Sequence, residues 1–102
     1  VIAHGAILRV YAKDPLIADQ VAINYHKASL SERQRAMLDF AVKVANEAYL
    51  VDETDYDTLK KLGFSEEDIW DIGAITAFFA HSNRMANLIG MRPNNEFFNM
   101  AR

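Results

Sequence analysis

Apolar residues recur along this chain at helical spacing, and no stretch alternates with period two for long enough to make a strand. The pattern predicts an all-α fold. Residues 1 to about 12 are apolar nearly all round, from Val1, Ile2 and Ala3 to Val10 and Tyr11, which predicts a helix buried in a core or against a partner. Asp14-Pro15 reads as an N-cap followed by proline at the first helical position, with the helix running to Tyr25 or His26. Ser31-Glu32-Arg33-Gln34 is a capping box. Behind it Met37, Phe40, Ala41, Val44 and Ala48 form one stripe of about four turns.

The only clear loop in this reading is Tyr49 to Asp57, with Thr54 as the cap of a short helix that ends at Gly63. Gly63 suits a left-handed C′ position, and Phe64 can close back on Leu59 in a Schellman ending. Ser65 caps the next helix, with Asp68 at N3 and a Phe64–Ile69 staple. No stop appears until Gly90, so the last helix has about 24 residues and a length of roughly 36 Å. Such a helix either bends near Gly73 or projects into another subunit, and projection is the expectation. About five helices in one domain over residues 1–102 make a compact helical bundle. Its apolar first and last helices predict a homo-oligomer.

Composition narrows the function. Eleven Lys+Arg against fourteen Asp+Glu give a net charge of −3, the wrong balance for a nucleic-acid surface. The longest apolar runs are far short of the roughly 20 residues that span a bilayer, so no membrane partner is expected. The first ten residues carry His4 and Arg9 without a cationic head and apolar run, and so do not read as a signal peptide. A cytoplasmic location is the default expectation. There is no cysteine, which removes disulfides, zinc-thiolate sites and thiol nucleophiles from these residues.

Few side chains remain for chemistry. His26, beside Lys27 at a helix end, reads as an ordinary capping residue, and His81, after Phe78-Phe79-Ala80, as a packed one. His4 stands out, because an imidazole buried in so apolar a helix needs a partner or a task. Arg84 in the last helix needs a carboxylate or carbonyl partner, supplied most simply by another helix or subunit. The run Asp52-Glu53-Thr54-Asp55-Tyr56-Asp57 lacks the spacing and glycine of a calcium loop and reads as a solvated cap. No Gly-rich phosphate cradle is present. No metal or cofactor site is therefore read.

Val1-Ile2-Ala3-His4-Gly5-Ala6-Ile7-Leu8-Arg9 resembles the segment after the second cysteine in the alkylhydroperoxidase D-like (AhpD-like) proteins of the carboxymuconolactone decarboxylase superfamily. Their signature is Cys-x-x-Cys-x-x-x-His, and His4 fits its histidine. Leu30-Ser31-Glu32-Arg33-Gln34, the stretch from Leu59 to Ile69, Asn83-Arg84-Met85-Ala86 before Gly90, and Pro93-Asn94 are similar to the peroxidase-related branch. The likeness covers essentially the whole chain. On this alignment both cysteines and the glutamate of the family's proton relay precede Val1, so the chain is expected to be the C-terminal portion of an AhpD-like domain.

The resemblance implies a thiol peroxidase, with a small hydroperoxide substrate, an external dithiol reductant and His4 as the one catalytic residue within these 102. Two other readings stay open. One is a decarboxylase-type lyase that needs no thiol, with His4 and Arg84 as candidates. The other is a non-catalytic helical oligomerisation domain.

Overall fold

A computed structural model describes all 102 residues. It holds five α-helices and no strand: α1 Ile2–Ala12, α2 Ile17–Asn24, α3 Glu32–Glu47, α4 Glu53–Lys61 and α5 Glu66–Leu88. Short 3-10 turns lie at Tyr25–Lys27, Ala48–Leu50 and Asn95–Phe98. The all-α expectation holds. Packing divides the chain into two compact units, Ser31–Gly90 and Val1–Leu30 with Met91–Arg102.

The Ser31–Gly90 unit is organised by local signals that satisfy helix ends. Ser31 Oγ accepts the Gln34 N–H at 3.1 Å, and the Gln34 side chain accepts the Ser31 N–H at 3.0 Å. The same reciprocal box joins Ser65 and Asp68. Between them α4 closes as a Schellman ending. The Phe64 N–H donates to Leu59 O at 3.1 Å and the Gly63 N–H to Lys60 O at 3.0 Å. Gly63 sits at φ 91°, where a Cβ would be strained. The closure brings Leu59 and Phe64 together with Phe40 and Ile69 as the buried core of this unit. Arg33 completes the corner. Its guanidinium lies 3.9 Å from the Phe64 ring centroid, and its Nε donates to Leu62 O at 3.0 Å.

Two boundaries differ from those read in the sequence. The acidic run is not a loop. Helix α4 starts at Glu53, capped by Asp52 rather than Thr54, and Asp55 answers as the N3 partner by accepting the Asp52 N–H at 3.0 Å. Three consecutive acidic or polar residues after Asp52 suit a helix N-terminus, where the dipole favours negative charge. Likewise α2 begins at Ile17, and its N-cap is Leu16 rather than Asp14. Asp14 instead accepts the Leu16 N–H at 2.9 Å and shapes the turn that leads into the helix. Helix α5 runs for 23 residues as a single α-helix through Gly73.

The other unit has a smaller apolar core of Ala6, Ile17, Ala18 and Ala28, and a buried charge. At Gly5 α1 lies close to α2, where a Cβ would make ordinary contact with that of Ala18 at 3.5 Å. Arg9 is only 3% exposed. Its Nε donates to Met100 O at 2.9 Å and its Nη2 to Phe97 O at 3.0 Å, which ties α1 to the C-terminal turn. Arg102 adds an ion pair to Asp19 at 2.6 Å. Arg9→Met is expected to leave two carbonyls without their donors and lower stability by about 3 kcal/mol. Denaturant midpoints check the loss, and faster amide exchange over residues 95–102 should accompany it.

The carboxylates set an acid limit. The Lys43 ammonium at 2.8 Å, with the Asp52 N–H, holds Asp55 below the usual carboxylate range. Ser65 backbone and hydroxyl bonds do the same for Asp68, and the Arg102 guanidinium for Asp19. Groups whose folded pKa is depressed stabilise above the unfolded value near 3.9 and lose that contribution as pH falls through the folded value. Stability should therefore be level above about pH 5 and drop below about pH 4. Urea midpoints across that range should fall less steeply in Asp55→Asn than in the parent chain.

Candidate functional site

Helix α1 has two unlike faces. Ala6 and Arg9 are buried and fix the helix to its unit. His4 lies elsewhere on the turn, with Ile7 and Leu8 at i+3 and i+4, and all three are exposed. Tyr11 and Val1 extend the strip at 83% and 87% exposure. The all-round burial expected for this helix is thus not what the chain's own contacts supply. One face is covered, and the face with His4 is exposed. An imidazole at such a place is accessible for proton transfer.

The other histidines sit on different elements. His26 is exposed in the turn after α2, where its N–H donates to Asn24 Oδ1 at 3.1 Å and its ring lies 4.1 Å from that of Tyr25. His81 is exposed on α5 rather than packed. Its helix neighbours are apolar, but nothing in the Ser31–Gly90 unit covers that side of the helix. Arg84 does find a carbonyl, but on its own helix: Nη1 donates to Ala80 O at 2.6 Å with the side chain exposed. A bridge to another helix is not needed to satisfy it. No three His, Asp or Glu side chains converge in a way that could hold a metal ion.

Sequence reasoning missed Arg9. An arginine in an apolar helix needs acceptors, which is true of Arg9 as much as of Arg84 and could have singled it out. Its acceptors are backbone carbonyls some 90 residues away in sequence, which no local pattern reveals.

A separate concavity of about 760 Å³ lies within the Ser31–Gly90 unit, between α5 and the α3–α4 pair. Phe40, Val44, Tyr56 and Ile69 line its apolar part, Trp70 and Ala74 border it on α5, and Lys60 and Glu66 pair at 3.1 Å at its edge. Most of its lining is apolar.

No family model and no curated protein matches the chain. Solved structures do. One is described as an alkylhydroperoxidase AhpD core, a peroxidase-related protein from Ralstonia eutropha JMP134; it is 64% identical over 99% of this chain, with a TM-score of 0.97. A second, a peroxidase-related protein from Silicibacter sp. TM1040, is 40% identical over 99% of the chain, with a TM-score of 0.94. The all-α architecture is that of the AhpD core, and the chain belongs with the AhpD-like, peroxidase-related proteins. It covers 53% of each of those two chains, so it spans about half the length of the solved relatives it matches. No helix is long and apolar enough to cross a membrane.

Proposed function

We propose that this chain carries the scaffold and the histidine of a thiol-dependent alkylhydroperoxidase. In this reading the thiols of the Cys-x-x-Cys pair lie outside these 102 residues, directly before Val1. The observation that carries it is the placing of His4. It lies one turn into α1, on the face that the helix leaves open. A residue four positions before His4 shares that face, because side chains at i and i+4 stack along a helix. A thiol there would be within reach of the imidazole, directly or through one water.

The chemistry is that implied by the resemblance to the AhpD-like proteins. The imidazole takes the thiol proton, and the thiolate attacks the near oxygen of the hydroperoxide. The O–O bond breaks, the alkoxide takes a proton to leave as an alcohol, and the sulfur becomes a sulfenic acid. The second thiol condenses with it to a disulfide and releases water. An external dithiol then reduces the disulfide by exchange and is itself oxidised. Such recycling fits a reducing compartment, and hence the cytoplasm. The likeness to peroxidase-related structures supports the class of reaction, and Ile7 and Leu8 beside His4 supply apolar contact for an alkyl group.

The test is turnover of an organic hydroperoxide by the complete protein with a dithiol donor, measured as alcohol formed. Replacing His4→Ala should lower the rate at least about 100-fold, the usual contribution of a positioned general base. An unchanged rate removes His4 from the chemistry.

A further inference from the structure

Helix α1 has little with which to fix its own rotation. Its buried residues are Ala6 and Arg9, and it meets α2 where Gly5 faces Ala18. Small residues of this kind set how near two helices lie, but they form ridges too shallow to resist a turn about the axis. The guanidinium of Arg9 is directional where they are not. It is buried, and its Nε and Nη2 reach Met100 O at 2.9 Å and Phe97 O at 3.0 Å. A rigid planar fork on two carbonyls restricts the orientation of both partners.

The acceptors are themselves held. The Arg102 N–H donates to Asn99 O at 3.2 Å, and the Arg102 side chain reaches Phe98 O and the Asp19 carboxylate of α2, each at 2.6 Å. Between the Met100 carbonyl and the Arg102 guanidinium lies Ala101, at φ 57°. That left-handed conformation strains a residue with a Cβ and persists only where neighbouring contacts impose it. Residues 95–102 thus form a strap, bound to α1 at Arg9 and to α2 at Asp19. All of these bonds lie inside one unit, and none depends on what covers its outer face.

We propose that Arg9 is a positioning residue for the reaction at His4. Through the strap it sets the rotation of α1, and so the place of the imidazole. The inference rests on His4 acting as the base of the thiol-peroxidase reaction. At a helix radius of about 5–6 Å with side chains, a rotation of about 10° moves a side-chain tip by about 1 Å. A misplacement of about 1 Å can cost a reaction about 100-fold. His4 lies about 140° round the helix from Arg9, so the strap's hold reaches the imidazole through the backbone and without contact.

The complete protein tests this with Arg9→Lys, which keeps the charge and loses the fork. Its helical circular dichroism should be unchanged. Well below the melting transition, kcat for an organic hydroperoxide with a dithiol donor should fall at least about tenfold while KM changes by less than about threefold. A residue that only stabilised the fold would leave kcat per folded molecule as it was. Amide exchange over residues 5–12 should quicken about tenfold in Arg9→Lys, and slow about threefold in Ala101→Gly, which relieves the strain from outside α1. A kcat retained in Arg9→Lys while His4→Ala loses activity overturns the proposal and leaves the peroxidase reading standing. So does exchange in α1 that ignores both variants. An unchanged rate in His4→Ala overturns the peroxidase reading, and this inference with it.

Discussion

Only eight apolar residues are buried in this chain, and three of them are alanines. At about 1.5–3 kcal/mol for a fully buried large side chain, so small a core leaves the helix ends dependent on something more directional. Arginine supplies it. Arg33 donates to Leu62 O at the end of α4, Arg9 to Phe97 O and Met100 O, and Arg102 to Phe98 O. Each meets carbonyls that the end of a helical turn leaves without a partner. A planar fork can meet two such acceptors at once, which a lysine cannot. Each of the two units is held by the same device, with apolar packing filled in around it.

This explains which parts of the fold were legible in the sequence. The Ser31 and Ser65 boxes and the Gly63 ending are local. Each is written in residues three to five apart and satisfied by those same residues, and each stands where it was expected. The Asp52 box is equally local, but its cap is one acid in a run of acids with Thr54 as a second candidate cap, so the run passed for a solvated loop. What the sequence did not reveal depends on distance along the chain. Nothing near Arg9 signals that its acceptors are at Phe97 and Met100, and nothing near Arg33 signals Leu62.

Burial was the least legible property, and the reason bears on the site. An apolar helix announces that it will be covered but not by what. The covering of α1 and α5 by their own units is one-sided, so His4 and His81 stand exposed where burial or packing was the expectation. His4 could be singled out only because an imidazole is out of character in its helix and because its spacing resembles a known signature.

The two faces of α1 then have one cause. His4 and Arg9 are five residues apart, about 140° around the helix. The helix can therefore be clamped on one side by buried hydrogen bonds while its other side stays exposed. Were Arg9 at position 8, the clamp and the histidine would share a face and the imidazole would be drawn into the buried side. The spacing of five, read with the period of the helix, separates anchoring from exposure.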